Sequence, residues 1–164
     1  MNDLNLLRRY RLVLGLFIIG LIISGLTAFP LLTELELLAR VLGVPPDAQA
    51  ESLTGLQHWI ALVRNGLRDM YSEYPWIAYG TDWLAFGHLT IAMFFIGPWR
   101  NPVANAWVLK VGLVACAAVF PLALICGPIR GIPFYWCLID CSFGLFGAIP
   151  LLYCLHLTRK MKNV

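Results

Sequence analysis

From Leu12 to Leu32 the chain runs through 21 consecutive residues without a charge. Few folds can absorb such a run. A helix rises about 1.5 Å per residue, so this length crosses a hydrocarbon core of roughly 30 Å. A charge-free run preceded by Arg8, Arg9 and Arg11 also describes a secretory signal, but a signal's apolar core is only about 7–15 residues. Here the run is longer and leads into Phe29-Pro30-Leu31-Leu32 instead of a small-residue cleavage site. The expectation is a retained helix.

Three further apolar runs follow, at about 76–96, 106–126 and 134–157. With the first, at about 11–32, they predict an all-α integral membrane protein, a four-helix transmembrane bundle forming one membrane domain over 1–164. Composition agrees. Only 13% of the 164 residues are charged and 60% are hydrophobic, whereas soluble domains carry about 25% charge to face water. Tyr74-Pro75-Trp76-Ile77-Ala78-Tyr79 opens the second run like an interfacial aromatic belt. The turn Gly127-Pro128-Ile129-Arg130-Gly131-Ile132-Pro133 is short. It should make the third and fourth spans antiparallel neighbours. Cys137, Cys141, Gly144 and Ala148 on one, and Gly112, Ala115, Cys116, Val119 and Ala123 on the other, are small enough for the backbones to approach. Pro121 and Pro150 each remove a helical hydrogen bond and should bend their helices.

The 33–74 segment is the one long polar stretch. Thr33-Glu34-Leu35-Glu36 fits a capping box, and Gly43 with Pro45 should end the helix it starts. A second helix is expected over 52–71. Leu56, Trp59, Ile60, Val63, Leu67, Met70 and Tyr71 would form its apolar stripe, with His58, Arg64, Asn65, Arg68 and Asp69 away from the stripe's centre. Such an amphipathic helix lies in a membrane interface or covers the ends of spans.

Basic residues set the orientation. Arg8, Arg9, Arg11, Arg100, Lys110, Arg159, Lys160 and Lys162 fall on one side of the four runs; Arg40, Arg64, Arg68 and Arg130 fall on the other. The positive-inside rule puts both termini in the cytoplasm, as in a bacterial inner-membrane protein. A clustered basic face of the kind that binds nucleic acid is absent.

Ionisable groups inside apolar runs are costly and normally face protein or water. Asp82 stands near the outer start of the second run, and His88 lies six residues deeper. Arg130 is in the outer turn, and Asp140 falls seven residues past Pro133, at about the depth of His88. The expected arrangement has two layers, Asp82 with Arg130 and His88 with Asp140. Asp140 and His88 are the candidate catalytic pair; Arg130, Asp82 and Trp136 are candidate ligand-binding residues. Each also has a structural reading, as a helix-end charge, a turn anchor or a buried hydrogen-bonding group.

No cofactor is specified. The cysteines Cys116, Cys126, Cys137, Cys141 and Cys154 form no C-x-x-C and no zinc spacing; Cys126 and Cys137 flank the outer turn and are a candidate disulfide. A bis-histidine haem needs a second deep histidine, and His58 and His156 are both placed outside the apolar core. Two families of four-span enzymes offer comparisons. Lipoprotein signal peptidases are similar in size and span number, but their asparagine-containing and aspartate–arginine motifs are not found. Disulfide-generating quinone reductases require the missing C-x-x-C. The leading expectation is therefore a small membrane subunit, partner or small-ligand binder with a polar cleft in its outer half. The partners would be the lipid bilayer and another membrane protein or a second copy. The alternative is a membrane enzyme or proton-coupled redox component acting on quinone or lipid.

Overall fold

The computed structural model describes residues 3–162, and among them the secondary structure is helical, without strands. The helices are α1 (Asp3–Thr27), α2 (Leu31–Val41), α3 (Gly55–Glu73), α4 (Pro75–Phe94), α5 (Ile96–Arg100), α6 (Ala106–Pro121), α7 (Gly127–Ile129) and α8 (Phe134–Lys162). A 3₁₀ turn occupies Ala50–Ser52, and a π-helical turn at Leu122–Cys126 joins α6 to α7.

Three segments are long and apolar enough to cross a membrane: Leu4–Thr27, Ala106–Ile129 and Phe134–Lys162. The second expected span exists as the 20-residue α4, but it falls outside that set. Thr81, Asp82, His88 and Thr90 interrupt its apolar sequence, and Trp76, Tyr79 and Trp83 each carry a polar group.

The chain forms two compact units, Met1–Leu21 with Ile91–Val164, and Ile22–Thr90. In the first, α6 and α8 pack side by side, as the short turn between them predicts. Gly144 marks the close approach. A Cβ there would lie 2.5 Å from the Cys116 carbonyl oxygen and 3.3 Å from the Val119 Cβ. Backbone meets backbone at this point, which is why a side chain is missing from it. At the other end of α8, Leu6, Tyr10 and Leu14 of α1 are buried in one cluster with Phe95, Leu109, Leu151 and Cys154. Arg11 and Trp99 lock reciprocally above it. The Arg11 Nε donates to the Trp99 carbonyl at 3.3 Å, and the Trp99 indole donates to the Arg11 carbonyl at 3.0 Å. The guanidinium also lies 5.3 Å from the centre of the indole ring, a cation–π distance.

Pro121 ends regular α-helix in α6, and the π-helical turn follows directly. Proline supplies no N–H and its ring crowds the carbonyl four residues back, so the ladder resumes with a wider turn. Pro150, by contrast, is accommodated inside α8.

In the second unit α2 and α3 pack against each other through the 42–54 segment. Gly43, at φ 71°, closes the end of α2 in the left-handed conformation expected of it. The capping box does not form. α2 starts two residues before Thr33, after Pro30, with no side-chain cap. Glu36 is already mid-helix, and its Oε1 takes Arg68, with Nε at 3.1 Å and Nη2 at 3.0 Å. α3 begins at Gly55 after Thr54, close to the expected start. Its buried residues are Ile60, Ala61 and Arg64, whereas Leu56 is exposed. Arg64, placed away from the centre of the apolar stripe by spacing, is 1% exposed. It clips the connecting segment by donating from Nη1 to the Pro45 carbonyl (2.9 Å) and from Nη2 to that of Ala48 (3.4 Å). Asn65 accepts from the same guanidinium and donates to Ala48. A loop that must bury carbonyls needs donors, and an arginine fork supplies several from one side chain.

All five cysteines are free thiols, so the candidate Cys126–Cys137 bridge is not made. Cys126 is exposed, while Cys137 is buried with its sulfur against Gly127.

Candidate functional site

The sequence-selected residues divide between the two units. Asp140, Arg130 and Trp136 belong to the first; Asp82 and His88 belong to the second. Each expected pair, Asp82 with Arg130 and His88 with Asp140, takes one residue from each unit. The local setting of each residue is therefore given within its own unit.

Arg130 caps the short α7, its N–H donating to the carbonyls of Cys126 (3.1 Å) and Gly127 (3.0 Å). The chain reverses through Gly131, at φ 71°, and Ile132 N–H returns to the Gly127 carbonyl at 3.0 Å. This tight reversal brings the start of α8 back beside the π-helical turn. The result is a cavity of about 210 Å³ whose walls include Val119, Leu122, Ala123 and Ile132, with Cys126, Arg130 and Asp140 as its reactive or charged members. Asp140 is half-buried. Among the described residues no hydrogen bond or ion pair engages its carboxylate, and none joins it to Arg130. A carboxylate and a guanidinium thus share one largely apolar cavity without neutralising each other. Within this unit the cavity places Arg130 and Asp140 on shared walls, a pair that the two-layer expectation did not include. Trp136, four residues earlier on α8, is half-buried and is not among the residues lining the cavity.

Cys126 was singled out by sequence only as a disulfide candidate, not as a site residue. It reaches the cavity because the π-helical turn ends on it, and Pro121 within an apolar run was the available signal for such a distortion.

In the second unit, His88 packs beside Gly25, where an added Cβ would lie 3.1 Å from the His88 Cβ. Its Nδ1 is 2.9 Å from the Leu84 carbonyl oxygen. A carbonyl only accepts, so Nδ1 carries the proton in this contact and Nε2 is the remaining ring position. Asp82 lines a separate open hollow of about 330 Å³ with Phe29, Tyr79, Trp83 and Phe86. The Tyr79 and Trp83 rings meet edge to face at 6.0 Å, and Trp83 and Phe86 at 5.8 Å. No group of three or more His, Cys, Asp or Glu suited to a metal ion occurs among the described residues.

No protein-family model matches the chain, nor does any curated protein or any solved structure.

Proposed function

We propose that this chain is an integral membrane protein that binds a small amphiphile in the outer half of a four-helix transmembrane bundle. It acts as a binder or subunit, without a catalytic centre of its own. In this reading α4 is the fourth crossing, its polar residues turned away from lipid. Both termini are cytoplasmic, because Arg8, Arg9, Arg11, Arg159, Lys160 and Lys162 then lie on the inner face of a bacterial inner membrane. The amphipathic α3 lies with α2 at the outer interface.

The observation that supports binding is the Asp140–Arg130 cavity. Two opposite charges in one apolar cavity, unpaired with each other, suit a ligand that offers an anionic group to the guanidinium and a proton donor or cation to the carboxylate. A zwitterionic lipid headgroup has that chemistry, and a hydroxylated quinone ring has part of it. The neighbouring apolar walls suit its aliphatic portion. Native mass spectrometry of the detergent-purified protein tests the proposal. The wild type should retain a small amphiphile that Asp140→Asn and Arg130→Gln each release. A wild-type chain carrying no amphiphile, or variants that hold it equally well, would count against it.

A further inference from the structure

Four arginines, Arg40, Arg64, Arg68 and Arg130, stand against the charge bias of this chain. Three of them line one cleft between α2 and α3. Its volume is about 170 Å³, and its walls are Glu36, Arg40, Val44, Pro46, Arg64 and Arg68. We propose that this cleft is a binding site for a phosphate group.

The argument rests on which charges are answered. Glu36 gives one carboxylate oxygen to Arg68, whose third hydrogen bond goes to the Pro46 carbonyl at 2.8 Å. Every hydrogen-bond partner of the buried Arg64 guanidinium is neutral, being two main-chain carbonyls and the Asn65 amide oxygen. Arg40 donates only to the main-chain carbonyl of Glu36, at 3.4 Å. Three cations and one carboxylate therefore face the cleft, an excess of two positive charges. Asp47 and Asp69 stand near, but they line an adjoining hollow with Arg68, and neither forms an ion pair with these arginines among the described residues. Neutral carbonyls satisfy the donors of a buried guanidinium without cancelling its charge, so the cleft keeps a strong preference for an anion. Burial, and then the neighbouring Arg68, hold the Arg64 pKa below the ordinary arginine value, while Glu36 and Asp47 pull the other way.

Guanidinium groups converging from two helices suit a tetrahedral oxyanion, which can accept forked hydrogen bonds on several edges. The cleft is too small for a nucleotide base and sugar, and its walls offer no aromatic stack. The phosphate could belong to a phospholipid headgroup or to a free ion, and the two sources are separable. The site lies wholly within the second unit and is independent of the Asp140 cavity.

The full chain in detergent is titrated separately with inorganic phosphate and with a short-chain phosphatidylglycerol, at constant ionic strength. Calorimetry reads binding and circular dichroism confirms the fold. Arg40 makes no tertiary hydrogen bond, so Arg40→Gln should fold normally and weaken binding about tenfold, the equivalent of one charge-assisted bond. Glu36→Gln should strengthen it, because it frees the Arg68 fork and removes the competing carboxylate. Saturable binding of the lipid alone assigns the site to headgroups; saturable binding of inorganic phosphate assigns it to a free ion. Saturable binding of neither probe overturns the proposal. So does Arg40→Gln binding as tightly as wild type, or Glu36→Gln binding no better.

Discussion

Replacing Gly144 by alanine adds one methyl group at the closest approach of α6 and α8. Its position is fixed by two helix backbones. The new Cβ would stand 2.5 Å from the Cys116 carbonyl oxygen, with Phe120 and Val119 at 3.2 and 3.3 Å. An oxygen held in a helical ladder cannot swing aside, so the helices must separate along their seam. Overpacking of this kind costs about 1–3 kcal/mol, and a rigid backbone contact belongs at the upper end. Alanine returns about 0.5–1 kcal/mol through its better helix propensity. The net loss should be about 2 kcal/mol, roughly a thirtyfold shift in the folded-to-unfolded ratio. Two other glycines calibrate the measurement. Gly20 has nothing within 4 Å of an added Cβ, so Gly20→Ala should be neutral or slightly stabilising. At Gly147 the nearest atom is the Cys116 sulfur at 3.1 Å, a side-chain atom with some freedom to move. Gly147→Ala should therefore fall between the two. Unfolding in mixed micelles of rising dodecyl sulfate content, followed by circular dichroism, gives the order directly. If Gly144→Ala unfolds together with Gly20→Ala, the close packing of α6 on α8 is refuted.

Removing the buried fork with Arg64→Gln should destabilise the α2–α3 pair by about 2–3 kcal/mol, since bonds from a charged donor are lost and the Pro45 and Ala48 carbonyls lose their partner; hydrogen exchange within 42–54 should accelerate, and unchanged protection would contradict the clip. Brief maleimide treatment of the folded protein should modify Cys126 and spare Cys137, Cys141 and Cys154, which react only after denaturation; peptide mapping shows the pattern, and a disulfide-linked Cys126 would negate it. Cysteines introduced at Asn2 and Asn163, which lie outside the described residues, should label from the same side of the membrane; labelling from opposite sides would remove the proposed topology.

Long-range architecture was readable where a single physical demand dominated. The long apolar runs announced α1, α6 and α8 because hydrocarbon-length apolar helices have few alternatives. Gly144 and Cys141 announced the α6–α8 seam because close backbones require small residues. α4 was located but overvalued as an apolar span, since Asp82 and His88 lower its hydropathy whatever they face. The 33–74 segment was harder. Helical spacing correctly started α3 near Thr54, yet it set Arg64 away from the centre of the apolar stripe. Periodicity counts polarity and cannot see that a neighbouring loop will present carbonyls to a buried guanidinium. The capping box failed for a similar reason, because Pro30 set the start of α2 and Glu36 found a better partner 32 residues away. Of the candidate site, Asp140 and Arg130 were each singled out as ionisable groups near apolar runs, but the two-layer expectation paired them with His88 and Asp82 and not with each other. The place of Cys126 on their shared cavity was not legible, because its direction depends on a helical irregularity that no spacing rule contains.

That irregularity makes the winding of one short segment matter more than its composition. Each residue of an α-helix advances the side-chain direction by about 100°. The π-helical turn at Leu122–Cys126 holds one residue more than a regular turn would, so everything beyond it is rotated relative to α6. Deleting one residue there and closing the turn to a regular helix would leave Cys126 and Arg130 facing the same way, because the wide turn holds just one residue more than a regular one. Winding all of its residues as regular α-helix would instead swing Cys126 and Arg130 around the axis by about 100°, carrying them off the wall they share with Asp140. Substitutions among Leu122, Leu124 and Ile125 should be tolerated freely by comparison, because they change what the segment is made of without changing where it points.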